Sequence, residues 1–204
     1  MIRFDARRGL AVLTIDRPEK ANALTQNMLI TLTRHLDDIA GSDTCAVVLT
    51  GSGSVFSAGA DLDAVQAGLA KSLEWERLSA RVAAMPCLTI AALNGTVAGG
   101  AMGMVLASDL RIAAPQARFF YPVMKLGFLP QPSDPRRLAA LVGPARARMI
   151  LMAGAEISAD EARDWGLVDR VETDPMAKAQ DLAADCIAAG QDHVMAIKAM
   201  TAIA

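Results

Sequence analysis

Two short stretches of this chain combine glycine, small side chains and a following helix in a way that lets the backbone itself do chemistry. One is Ser57-Ala58-Gly59-Ala60-Asp61, after the extended runs Ala46–Thr50 and Val55-Phe56; the other is Ala98-Gly99-Gly100, after Cys87–Leu93. The first turn of a helix carries N–H groups with no intrahelical acceptor, and glycine lets a ligand or a second backbone come close. If the two strands are neighbours, N–H groups from both turns converge on one oxygen. That is the geometry of an oxyanion hole, which stabilises an enolate or a tetrahedral intermediate. From Gly100 to Ala107 no residue is charged, so a helix there is expected to be buried all round. The competing reading of the same glycines is tight strand-to-helix packing without a site.

Composition narrows the classes of function. The 204 residues carry 20 Lys and Arg against 22 Asp and Glu, a formal net charge of −2, and no basic stripe, so the electrostatic case for a nucleic-acid partner is missing. A small anionic ligand needs only a few placed cations. The apolar share is 53% but only 4% is aromatic, with 11 Met, which suits closely packed helices on a sheet. Cys45, Cys87 and Cys186 are odd in number, far apart and set among apolar residues; they read as reduced core residues of a cytoplasmic protein. With His35 and His193 the only histidines, no metal site is expected. The start, MIRFDARRGL, has no apolar segment behind its charges and is not read as a secretory signal. The uncharged run Val82–Ser108 is long enough to span a bilayer, but Pro86 and the turn Asn94-Gly95 divide it, so no membrane association is expected.

The elements that must position the two turns follow from periodicity. Leu10–Asp16 reads as a strand ended by Arg17-Pro18. A helix from Thr25 carries Met28, Leu29, Leu32, Leu36 and Ile39 on one face. Asp61 is placed to cap a helix, and Leu69–Met85 is partly helical up to Pro86. Leu110–Ala113 and Ala117–Tyr121 read as short strands, and the stiff loop Pro130–Pro135 precedes helices around Arg137–Val142 and Ala145–Met152. Ser158 and Glu161 form a capping-box pattern for a helix ending at Gly166. Val168–Val171 reads as a strand, and Asp174-Pro175 opens a helix ending at Gly190. Residues 1–190 then form one α/β core domain, with 191–204 the start of a C-terminal helical segment. Alternating strands and helices imply parallel pairing.

These residues in this order carry a resemblance. Arg17-Pro18-x-Lys20-Ala21-Asn22-Ala23-Leu24, then Gly51…Phe56-Ser57-Ala58-Gly59-Ala60-Asp61-Leu62, Asn94-Gly95…Gly99-Gly100 and Ser108-Asp109 are followed by Pro122…Lys125-Leu126-Gly127…Pro130, Arg137-Leu138…Val142-Gly143 and Ile157–Glu161…Trp165-Gly166-Leu167-Val168. The pattern, from about Leu10 to Val171, resembles the enoyl-CoA hydratase/isomerase (crotonase) superfamily. The resemblance implies a crotonase-like spiral of ββα turns with helices packed outside and a short C-terminal helical tail. It implies an acyl-coenzyme A thioester as ligand, its carbonyl oxygen held by the N–H groups of Ala60 and Gly100. Arg17, Lys20, Ala21, Ala23, Ala58, Asp61, Leu62 and Gly99 are the expected substrate- and CoA-binding positions. No cofactor is implied beyond the CoA of the substrate, and the expected assembly is a homo-oligomer, a trimer or dimer of trimers. Family members usually continue into further helices that cover the acyl pocket, so a chain ending at Ala204 leads one to expect a more open pocket, or one covered by another subunit.

Two departures bear on the reaction. Where hydratases of this superfamily carry two working glutamates, this chain has Gly103 and Val123, and neither can act as an acid or base, so water addition by the two-carboxylate route is not expected. Local replacements are Tyr121, the only tyrosine, and Asp134 in the proline-braced loop; each also has a plain reading, as a buried hydrogen-bonded tyrosine and as a helix cap. The reading is therefore an acyl-CoA protein that stabilises a thioester enolate as an isomerase, decarboxylase or atypical lyase, and Gly103→Glu with Val123→Glu is expected to create some hydratase activity. A non-catalytic acyl-CoA-binding or assembly protein is the alternative. A dinucleotide oxidoreductase is disfavoured because Phe56 stands where G-x-G-x-x-G needs its third glycine.

Overall fold

Three successive strand–strand–helix turns wind through the chain, each sending its first strand to one sheet and its second to another. The computed structural model describes residues 1–201. Strands β1 (Ile2–Arg7), β2 (Leu10–Ile15), β3 (Ala46–Gly51), β5 (Leu88–Leu93), β7 (Leu110–Ala113) and β10 (Arg170–Val171) form a six-stranded sheet in the order β1-β2-β3-β5-β7-β10. Strands β4 (Val55–Ser57), β6 (Thr96–Ala98), β8 (Arg118–Phe120) and β9 (Ile157–Ser158) form a second sheet in that order. Pairing is parallel except in the β1–β2 hairpin and between β8 and β9. This is the expected α/β spiral.

The larger sheet is apolar on both faces because both are covered. Val48, Ile90 and Ile112 face helix α9 (Pro175–Ala189), where Ala179 and Ala183 let the helix approach closely. Val47, Leu49, Ala91 and Leu93 face the main core, shared with α1 (Gln26–Ala40), α3 (Glu74–Ala83) and α4 (Met102–Ala107). All the residues of α4 except Ala107 are buried, as the uncharged run requires. Gly99–Ala101 makes a 3-10 turn before α4, and α2 (Leu62–Gln66) follows β4.

Several caps stand as read: Asp61 accepts from Asp63 and Ala64 N–H and Asp174 from Ala177 N–H, and Ser158 and Glu161 form the capping box before α8 (Ala159–Trp165); the structure adds a cap at Thr25, whose hydroxyl accepts from Met28 N–H. Other expectations change. β1 went unread because only Ile2 of its residues is even half-buried; it owes its strand to pairing with β2 across the left-handed turn Arg8-Gly9. The expected strand Val168–Val171 shrinks to two residues, since the N–H groups of Leu167 and Val168 both close the end of α8 on Ala162 O. Asp134 does not cap: Ser133 takes the N-cap position and Asp134 is the first residue of α6 (Asp134–Val142), which follows the short α5 (Val123–Leu126) and precedes α7 (Pro144–Leu151). The C-terminal segment is helical as α10 (Gln191–Thr201); the expectation for residues 202–204 lies outside the described residues. No described helix is long and apolar enough to cross a membrane.

Candidate active site

The loops around the site are tied together by buried Asn22. Its Oδ1 accepts the Arg17 N–H at 2.8 Å and its Nδ2 donates to the carbonyls of Ser52 and Val55 at 2.8 and 2.7 Å. Its own carbonyl accepts the Ser57 hydroxyl at 2.9 Å. Ala21 and Asn22 both sit in the left-handed region, at φ 49° and 54°, a cost that such bonds must offset. Ser57 is thereby a brace rather than a nucleophile.

Strands β4 and β6 are parallel neighbours, the condition for the two glycine turns to meet. Gly59 has φ +89°, and a Cβ placed on it would stand 2.7 Å from the Ala98 carbonyl oxygen; only glycine allows this contact. Leu24 bridges Ala60 in parallel, using Leu24 N–H to Gly59 O and Asp61 N–H to Leu24 O. The N–H of Ala60 therefore points away from that bridge. Gly100 lies in the first turn of the 3-10 segment that leads into α4, where N–H groups lack intrahelical acceptors.

Both turns open on one cavity of ≈ 220 Å³, to which Ala58, Ala60, Leu62, Gly99, Gly100 and Tyr121 contribute. Its other walls are mostly apolar, chiefly Trp75, Phe120, Val123 and Phe128, with Gln131 a polar exception. No charged side chain among the described residues lines it. Trp75, buried and held by its indole N–H to Leu69 O at 3.0 Å, lies so close that a Cβ on Gly100 would meet its ring at 2.9 Å. Trp75 was not singled out by sequence reading, since a helix with mixed periodicity carries it; Phe120 and Phe128 sit in segments too short or irregular to flag.

The two acid–base candidates come together, although 13 residues separate them. The Tyr121 hydroxyl donates to Asp134 Oδ2 at 2.9 Å. Tyr121 borders the cavity and Asp134, fully buried, stands behind it. Asp134 Oδ1 has no hydrogen-bond partner. Burial pushes the Asp134 carboxyl up to about 6, against the lowering effect of the tyrosine hydrogen bond and the Arg137 charge. The Tyr121 hydroxyl is raised far above the ordinary phenol range, first by burial and then by the Asp134 charge. A Cβ on Gly103 would stand 3.1 and 3.2 Å from the two Asp134 oxygens, so this carboxylate fills the space beside Gly103.

The expected CoA-side residues divide. Ala58 N–H donates to Ala21 O at 3.0 Å, which joins those two positions; Leu62 is 80% exposed at the cavity edge. Arg17 is committed inward, its Nη1 donating to Asp61 Oδ2 at 2.7 Å and to Ala23 O at 3.1 Å, and this guanidinium holds the Asp61 carboxyl below the usual carboxylate range. Arg17 is thereby a clamp on the α2 cap. Lys20 is exposed on the same loop.

Comparison with known proteins agrees with this architecture. The family model described as "Enoyl-CoA hydratase/isomerase" matches residues 5–203. A relative from Mycobacterium tuberculosis H37Rv, named as a probable enoyl-CoA hydratase, EchA14, is 37% identical over 198 residues, covering 94% of this chain and 77% of its own. The 4-chlorobenzoyl coenzyme A dehalogenase-2 of an Arthrobacter species is 34% identical over 201 residues, covering 93% of this chain and 72% of its own. Among solved structures, an enoyl-CoA hydratase/isomerase from Pseudoalteromonas atlantica superposes with a TM-score of 0.90 at 29% identity, over 98% of this chain and 81% of that one.

Proposed function

Because the chain belongs to the enoyl-CoA hydratase/isomerase family, we propose that it binds an acyl-coenzyme A thioester with the carbonyl oxygen between the N–H groups of Ala60 and Gly100. The observation that carries this reading is the parallel pairing of β4 with β6, which stacks both glycine turns on one apolar cavity. A preorganised N–H aimed at a developing enolate oxygen contributes about 3–4 kcal/mol to transition-state stabilisation. The reaction is that of an isomerase, decarboxylase or atypical lyase rather than the usual hydratase, since Gly103 and Val123 offer no carboxylate to handle water. The thioester itself supplies the electrophile, and no further cofactor is required. Lys20 is the cation on the phosphate side, and the working assembly is a homo-oligomer, a trimer or dimer of trimers.

The test pairs calorimetric binding of CoA esters with turnover of a panel of enoyl-, dienoyl- and malonyl-CoA thioesters. Turnover of one of them is the expected result. Binding without turnover of any favours the second reading, a non-catalytic acyl-CoA-binding or assembly protein, for which Gly103 and Val123 speak. Failure to bind any CoA ester overturns both.

A further inference from the structure

The fully buried Asp134 carboxyl keeps one oxygen without a partner, which a purely structural brace would not need. A buried carboxyl that only held Tyr121 in place would cost less as an amide, and polar groups left unpaired inside proteins are rare. Arg137 stands near enough to act on it, yet its Nη1 donates to the Ser79 hydroxyl at 3.0 Å. Glu76, on α3, opposes ionisation of Asp134 and is itself engaged by the Ser133 hydroxyl and N–H. Tyr121, Arg137 and Glu76 are the titratable and charged groups acting on Asp134, and none forms an ion pair with it among the described residues. Tyr121, whose oxygen also accepts the Gln131 N–H at 3.4 Å, connects it to the cavity.

Resting on the CoA-thioester reading above, we propose that Tyr121 and Asp134 form a proton relay: the Tyr121 hydroxyl touches the substrate, and the Asp134 carboxylate, out of the substrate's reach, stores the proton. In the forward step a C–H bond next to the thioester carbonyl breaks. Its proton goes to the Tyr121 oxygen while the tyrosine's own proton passes to Asp134 Oδ2. The C–H electron pair moves onto the carbonyl oxygen, between the N–H groups of Ala60 and Gly100. The return step reverses these transfers and can deliver the proton to another carbon of a conjugated enolate. Nothing is oxidised or reduced, no co-reactant is consumed, and the tyrosine stays neutral in both resting states, consistent with burial that opposes tyrosinate. One relay that takes and returns a single proton fits a double-bond shift in an uncharged β,γ-unsaturated thioester. It does not fit hydration, which needs a second group for water.

The experiment uses the whole chain and butyryl-CoA, whose α-protons can exchange but which has no double bond to move. Binding is read by calorimetry, exchange by loss of the α-proton signal in D2O, and the relay by the 13Cζ resonance of the single tyrosine. The expected result has three parts: exchange rises tenfold per pH unit below about pH 6 and levels above it; the tyrosine resonance titrates with the same midpoint; and Asp134→Asn abolishes that titration and lowers exchange at least 100-fold while butyryl-CoA still binds. Tyr121→Phe lowers exchange alike. Bound butyryl-CoA with no exchange in the unaltered chain overturns the relay, as does a tyrosine resonance that ignores pH between 4.5 and 8, or an Asp134→Asn variant with undiminished exchange. If that variant does not fold, the two pH profiles of the unaltered chain decide alone. No binding of butyryl-CoA overturns the CoA-site reading instead.

Discussion

The two halves of the candidate site are built from different materials. Around Gly59 and Gly99-Gly100 the proposed working groups are backbone N–H groups, set by strand pairing and by glycines that touch neighbouring backbone. Around Tyr121 and Asp134 they are side chains from β8's end and the start of α6, joined by one hydrogen bond, with the tyrosine oxygen also accepting the Gln131 N–H. A backbone site carries no formal charge and does not titrate, but it tolerates almost no change in shape. A buried side-chain pair accepts substitution by isosteres, and its charge depends on pH. Under the proposed function, charge stabilisation rests on the rigid half and proton handling on the adjustable one.

The severest way to break the backbone half is Gly59→Ala. The new methyl group would press on Ala98 O at 2.7 Å in a left-handed backbone conformation. We expect a loss of about 2–4 kcal/mol in urea unfolding and of about 100- to 1,000-fold in turnover of whichever CoA ester proves active, as for loss of one oxyanion donor. The next effect tests whether the two halves are independent. Gly103→Glu with Val123→Glu would restore the glutamates of a hydratase-like pattern, but the structure revises that outcome, because the stem of any side chain introduced at position 103 would enter against the Asp134 oxygens. The double variant should lose stability by about 1–3 kcal/mol from overpacking and show no crotonyl-CoA hydration; adding Asp134→Gly should recover part of the stability. Hydration by the double variant alone would show that the Asp134 carboxylate moves aside.

The side-chain half breaks in the opposite direction. The folded carboxyl of Asp134, at about 6 against 3.8 for a free carboxyl, binds its proton more tightly than the unfolded one. Its contribution to stability is therefore fully present below pH 4 and is lost as pH rises through 6. Asp134→Asn should accordingly stabilise the fold by up to about 3 kcal/mol above pH 7 and give no such gain below pH 4, read from thermal or urea unfolding against pH. A loss of stability at pH 7 would mean that the charge is compensated. The smallest effect is at the rim: Lys20→Ala should weaken CoA-ester binding by about 2- to 5-fold at low salt, with the difference fading at about 0.5 M salt.

Much of this architecture was legible in order and spacing. The strands β3, β5 and β7 announce themselves as apolar runs, and Asp61, Ser158 and Asp174 as caps, because these features act over four or five residues. Strands β6 and β9, of three and two residues, are too short for any period to show. β1 has almost no buried face. Residue type and loop position leave Asp134 open as an acid–base group or a cap, and Arg17 open as a CoA-side cation, because nothing local shows their distant partners. The partners are Tyr121, 13 residues away, and Asp61, 44 residues away.

The sequence by itself determined the α/β alternation, the family resemblance, the two glycine turns and the lack of carboxylates at Gly103 and Val123, since each is a property of residue type at fixed local spacing. Only the tertiary structure decided that the turns share one cavity, that Trp75 walls it, that Arg17 faces inward, and that Asp134 lies buried behind Tyr121 and beside Gly103. Those outcomes depend on which strands become neighbours and which side chains lose water, and both are settled when the two sheets and the helices close on one another.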